Sequence, residues 1–185
     1  MFINVHNDVS GAQEEVRGSD NRMNVSSRSD SRSYYNSRDV GQAYSLVFDF
    51  QSAAATEYGV YLQNTSSTKT IVVDAIGINA AQNARMKLHF VTGTATAGNA
   101  VTPVNLNGGS PNAADCVARE GGSEATGIAG LTIDKTIDFA AVQADGHEEF
   151  RLDDRLRLGQ NQAIAIEYDE GTGGDMFGVI FFFFE

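Results

Sequence analysis

From residue 43 onward the chain alternates between apolar and polar residues in short runs. AYSLVFDF puts Tyr44, Leu46, Phe48 and Phe50 on one side of an extended backbone, and NQAIAIEYD sets Ile164, Ile166 and Tyr168 against Ala163, Ala165 and Glu167. A repeat of two fits a strand with one buried face and does not fit a helix. YGVYLQN, KTIVVDAIGI, RMKLHFVTG, GLTIDKTIDF, EEFRLDDRLRL and MFGVIFFFF continue the series, parted by Gly, Asn, Ser, Thr and Asp. About eight or nine strands at intervals of roughly eight to 15 residues predict an all-β, antiparallel sandwich or barrel. INAAQNAR, residues 78–85, reads as a turn or a single helical turn between strands. Residues 91–115, rich in Gly and Thr, read as a long excursion, and such a loop in a compact domain usually has something to contact.

One run breaks the alternation. GVIFFFFE carries Phe181, Phe182, Phe183 and Phe184 in succession, so both faces of this strand need cover. Full burial of one phenylalanine contributes about 1.5 to 3 kcal/mol. Outward rings left in water would also make an adhesive, aggregation-prone window. One face belongs to the sandwich core. For the other, two covers are open: the chain's own arm or loop, or a second subunit. The more economical is an oligomer interface in which Phe181–Phe184 of identical strands meet around a symmetry axis.

Residues 1–42 have a different character and are read as an extended N-terminal arm, with the β-sandwich domain spanning 43–185. RGSDNRMNVSSRSDSRSYYNSRD is too poor in apolar residues for a core, so it orders only by lying along another surface. Arg17, Arg22, Arg28, Arg32 and Arg38 lie in it, five of the 13 basic residues of the chain. Against six acidic residues they leave residues 1–40 near neutrality, whereas the remainder carries eight basic and 18 acidic residues. Arginine forks pair bidentately with carboxylates, and Tyr34 and Tyr35 are aromatic anchors of the kind enriched at interfaces. A docking arm is therefore expected in preference to a solvated tail.

The formal net charge of −11 repels phosphate backbones, which sets nucleic acid aside as a partner. The longest apolar run, VIFFFF, is far short of the roughly 20 residues of a membrane-spanning helix, and the first residues lack a secretory pattern. A soluble chain made in a cytoplasm is expected, so the glycosylation patterns at Asn24 and Asn64 carry no weight. The single Cys116 rules out an internal disulfide framework, and its acidic neighbours Asp115 and Glu120 disfavour a thiolate, which makes it a packing residue. His6, His89 and His147 are scattered, and His89 is expected on an exposed or partner-facing side of its strand. Glu148 and Glu149, like Asp153 and Asp154, are adjacent and point to opposite faces, so neither pair converges on one bond. Arg151, Arg155 and Arg157 alternate with Leu152, Leu156 and Leu158 as a basic strand face, paired within the chain or with a neighbour. Asp169, Glu170 and Asp175 gather on a Gly-rich turn, but their spacing is not that of an EF-hand. No nucleotide-binding or hydrolase motif occurs, so neither enzymatic activity nor a cofactor or metal is expected.

GQAYSLVFDF, YGVYLQNTSSTKTIVVDAIGI, HFVTGTATAGNAVTPVNLNGGSPNAADCVARE and LGQNQAIAIEYDEGTGG together resemble the jelly-roll proteins that decorate, or cement, the capsids of tailed bacteriophages. The resemblance covers most of residues 41–185 and excludes the arm. It implies a jelly-roll-like sandwich and a homotrimer seated on the major capsid protein lattice at the virion exterior. The arm would then bridge capsomers. The alternative is a head-fibre or receptor-binding module whose 91–130 excursion recognises a host surface glycan.

Overall fold

The alternating runs form strands, and the computed structural model describes them within residues 4–6, 13–15, 31–52, 56–122, 127–170 and 174–185. The chain divides into two units between Asp30 and Ser31. In the first, β1 (Asn4–His6) pairs antiparallel with β2 (Gln13–Glu15). The second opens with a short helix, α1 (Arg32–Tyr35), and a π-helical turn at Asn36–Val40. Then follow β3 (Ala43–Ser52), β4 (Glu57–Asn64), β5 (Ile71–Ala80), β6 (Ala84–Thr96), β7 (Asn99–Ala100), β8 (Val104–Asn105), β9 (Cys116–Glu120), β10 (Ala129–Val142), β11 (Gly146–Leu158), β12 (Ala163–Glu170) and β13 (Gly174–Phe184).

Two sheets result, ordered β11-β5-β13-β3-β8 and β10-β6-β12-β4-β9-β7, with antiparallel pairing between their neighbouring strands. The eight long strands alternate between the sheets in chain order, except that β6 is followed by its own neighbour β10. This is the jelly-roll arrangement of an antiparallel sandwich. The short β7, β8 and β9 all lie between β6 and β10, so the long excursion of the sequence extends both sheets along the β3 and β4 edges. No helical turn separates β5 from β6: the strands continue to Ala80 and resume at Ala84, leaving three residues of turn.

The expected inward residues make the core. Tyr44, Leu46, Phe48 and Phe50 of β3 meet Val60 and Leu62 of β4, Met86 and Leu88 of β6, and Ile164, Ile166 and Tyr168 of β12 across the sandwich. Phe182 and Phe184 join them, with ring centroids 5.5 and 5.7 Å from that of Tyr44. Gly178 interrupts the apolar run of β13 for a steric reason. A Cβ there would run into the carbonyl oxygen of Gly77 on β5 and the Phe48 ring.

Asn64 is fully buried at the end of β4. Its amide donates to the carbonyls of Lys69 and Leu158, each at 2.8 Å, and its Oδ1 accepts from the Ser66 backbone at 2.9 Å. The side chain that opens a glycosylation pattern is thus a corner brace inside the protein.

Candidate interaction surface

Residues of the same parity as the core-lining ones are inward; those between them form the outer faces of the two sheets. On the five-stranded sheet the register lays the outer residues out in rows. Phe177 sits between Asn79 of β5 and Asp49 of β3, with His147 of β11 beyond Asn79. One step along, Val179 lies between Gly77 and Val47, with Glu149 beyond Gly77. In the next row Phe181 lies between Ala75 and Ser45, and Val104 of β8 follows Ser45. Phe177 is 48% exposed, Phe181 37%, Val47 63% and Val104 62%, so large apolar side chains stand open to solvent among the polar Asn79, Asp49, His147 and Glu149. From Phe177 to Phe183 the strand advances about 20 Å.

The row at Phe183 is closed. Phe183 packs with Ala43 and Val72 outside the main core and is fully buried. The π-turn at Asn36–Val40 packs against β3 and β13. Ser31 caps the helical segment by accepting from the Tyr34 backbone at 3.2 Å, as an N-cap serine does. Gly41 ends it in the left-handed conformation, φ 64°. The carbonyl of Gly41 accepts from Asn105 Nδ2 at 2.9 Å, Ser110 Oγ at 3.0 Å and Asn112 Nδ2 at 3.2 Å, so the loop after β8 holds the cap in place. Arg32 and Arg157 both pair with Glu185, the latter at 2.7 Å, which fastens the cap and β11 to the end of β13. Arg38 pairs with Asp39 and lies over the Tyr34 ring, 4.9 Å from its centroid. Tyr34, Tyr35, Val40 and Leu106 remain exposed at this end.

The expected interface of four phenylalanines is therefore divided by the sandwich itself. Phe182 and Phe184 fill the core, Phe183 is sealed by its own chain, and Phe181 alone of the four reaches the surface. The physical reason is that successive strand residues point to opposite faces, and that the nine-residue helical segment Arg32–Val40 packs on β3 and β13 at the Phe183 end of the strand. Phe177, Val179, Val47 and Val104 belong to the same surface and had not been singled out. The signal for them was present: Phe177, Val179 and Phe181 share one parity in MFGVIFFFF, and Val47 stands among Ser45 and Asp49 on the polar side of AYSLVFDF. Of the arm residues, Arg17, Arg22 and Arg28 lie outside the described residues, while Arg32, Tyr34, Tyr35 and Arg38 belong to the folded cap.

The outer face of the six-stranded sheet combines an apolar cluster of Tyr61, Val91, Ala163 and Ala165, and an exposed Phe139, with a polar network. His89, expected on an exposed or partner-facing side of its strand, is buried within the chain. Its Nε2 lies 3.1 Å from Glu167 Oε2 on β12 and its Nδ1 3.1 Å from Thr136 Oγ1 on β10, so cross-strand partners on both sides hold the imidazole down. Burial first, then the Glu167 carboxylate, pushes the Tyr58 hydroxyl above its ordinary pKa. Beside them Asp169 takes Lys87 at 2.5 Å and also pairs with Arg85. The Lys87 hydrogen bond, joined by Arg85, holds its carboxyl below the usual range against the opposing effect of burial. Asp169 is thereby committed within the sheet, away from any cation on the following turn. Cys116 is half-buried against the core, and burial, then Asp115, pushes its thiol up to about 12. Among the described residues no group of three or more His, Cys, Asp or Glu is placed to hold a metal ion, and no helix is long and apolar enough to cross a membrane.

Comparison with protein-family models, with curated proteins and with solved structures finds no match to this chain.

Proposed function

We propose that this protein is a non-enzymatic virion structural protein that binds a capsid shell as an oligomeric decoration, or cement, protein. The observation that supports the reading is the solvent-facing apolar band from Phe177 to Val104, continued by Leu106, Val40 and the two tyrosines of the cap. Exposed Phe and Tyr side chains of this kind are enriched at protein-binding surfaces. Jelly rolls recur in viral capsid and lectin domains, an association that raises the reading without assigning it. The resemblance of residues 41–185 to phage decoration proteins points the same way.

In this reading the sandwich is a rigid hub on the virion exterior. Residues 1–30, with Arg17, Arg22 and Arg28, bridge major capsid proteins, and Tyr34 and Tyr35 anchor the start of the bridge. Binding energy spent on the mature lattice adds to shell stability by linkage. The test is co-sedimentation of the protein with undecorated shells of the tailed phage that encodes it. Saturable binding that raises the temperature of shell disruption is expected, and a Tyr34→Ala/Tyr35→Ala variant should bind more weakly. Absence of binding at micromolar concentrations would refute the proposal.

Recognition of a host glycan ranks second. A cleft of 240 Å³ lined by Phe90, Asp134, Lys135, Asn161 and Gln162 offers suitable polar groups. It is smaller than the roughly 300–1,000 Å³ usual for ligand sites. Retention on host envelope material, with none on shells, would reverse the order.

A further inference from the structure

On the outer face of the six-stranded sheet three side chains meet around one hydroxyl. Thr136 of β10, His89 of β6 and Glu167 of β12 are far apart in sequence, and the strand order β10-β6-β12 sets them side by side. Ala165 stands directly across from His89, and its small side chain leaves the imidazole room to reach Glu167, two residues further along β12. Tyr61 and Tyr58 of β4 stand opposite Ala165 and Glu167 on the far side. His89 and Glu167 are buried, whereas Thr136 is exposed. Both contacts of the ring are 3.1 Å, Nε2 to Glu167 and Nδ1 to Thr136. An ionised carboxylate only accepts, so Nε2 carries the hydrogen; Nδ1 of the neutral ring is then bare, and the Thr136 hydroxyl donates to it. The backbone is also irregular here. Register shifts flank Thr136, between Ile133 and Lys135 and between Thr136 and Asp138. Bulges of this kind re-aim a side chain and recur beside active sites. Strand β10 is the edge of its sheet, and an open edge presents N–H groups that can receive an oxyanion.

We propose that Thr136 is a modification site, a nucleophilic hydroxyl that takes an acyl group from an activated ester, with His89 as its general base and Glu167 as the positioning residue behind the ring. A nucleophile, a base and a group that orients the base are recognised by their geometry and roles, wherever they stand in a chain. Thr136 Oγ1 attacks the acyl carbon while its proton passes to His89 Nδ1. The tetrahedral oxyanion then collapses, the bond to the leaving oxygen breaks, and that oxygen takes the proton from Nδ1. The products are an acyl-threonine and an alcohol. The cleft of 240 Å³ adjoins this point: its lining residues Lys135, Val91 and Ala163 are within two residues of Thr136, His89 and Ala165. Two residues of strand advance about 7 Å, and a cleft below the usual size of ligand sites suits a short acyl chain.

This chemistry is independent of shell binding and is tested without capsids. The full chain is treated with p-nitrophenyl acetate, and acetylated residues are mapped by mass spectrometry before and after hydroxylamine, which cleaves threonine esters and spares lysine amides. Thr136 should be acetylated at least tenfold faster than the exposed Thr132 of the same strand. Thr136→Val should lose the label and Thr136→Ser should keep it. His89→Gln should slow labelling about a hundredfold, the lower end of what a general base contributes, and Glu167→Gln should slow it less. Circular dichroism checks the folding of each variant. Nitrogen NMR of the isotope-labelled wild type reads the ring directly, with Nε2 protonated and Nδ1 bare, and remains decisive where His89→Gln does not fold; Glu167→Gln should shift both resonances. Label confined to lysines and the N-terminus, equal rates at Thr136 and Thr132, a rate indifferent to His89→Gln, or a neutral ring with its proton on Nδ1 would overturn the proposal.

Discussion

Asp169 is the residue whose chemistry is best defined. With its carboxyl held low by Lys87 and Arg85, it contributes stability that is fully present above the unfolded value, about 3.9, and is lost as pH falls through the folded value. Asp169→Asn should therefore unfold at lower denaturant concentration than the wild type at pH 7, and the gap should close below about pH 4. A gap that stays constant from neutral to acid pH would contradict this account. Tyr168 presents the opposite case. Its hydroxyl is buried with no hydrogen-bond partner among the described residues, and burial raises its pKa. An unsatisfied buried hydroxyl costs about 1–3 kcal/mol, so Tyr168→Phe should raise the unfolding temperature. A fall would mean that the hydroxyl has a partner after all. The sequence showed Tyr168 as an inward residue of an alternating strand, but the fate of one hydroxyl depends on the strand across the sandwich.

Strand β13 is the element in which local pattern and tertiary packing diverge. Its four phenylalanines read identically in sequence, yet they occupy three environments: core for Phe182 and Phe184, beneath the cap for Phe183, and solvent for Phe181. Phe182→Ala should cost about 3–5 kcal/mol of folding stability, the loss for a large core side chain. Phe181→Ala should cost well under half of that in urea-induced unfolding of the monomer, because its ring leaves little cavity behind. Equal losses would place both rings in the core. His89 illustrates the same limit. Its outward parity was legible, whereas its burial depends on Thr136 and Glu167 arriving from strands far away in sequence.

For the whole molecule, the boundary between arm and body governs what can be removed. Because Ser31–Val40 folds onto the sandwich, deletion of residues 1–30, which keeps that segment, is the reference for deletion of residues 1–40. Deletion of residues 1–40 should uncover Phe183, raise dye binding and lower stability by about 1.5–3 kcal/mol, the contribution of one buried phenylalanine. Indistinguishable truncations would mean that the cap protects nothing. The jelly-roll order was within reach of the sequence only as a sandwich of about eight strands, since the alternating pattern states which residues face inward but not which strand lies beside which.

By itself the sequence determined the strands, their inward faces and the demand that the last strand be covered twice, because side-chain alternation is a local property of extended backbone. Tertiary structure decided what does the covering. A cap whose carbonyls are held by Asn105, Ser110 and Asn112, and whose Arg32 reaches Glu185, depends on segments distant along the chain, and no local pattern encodes their meeting.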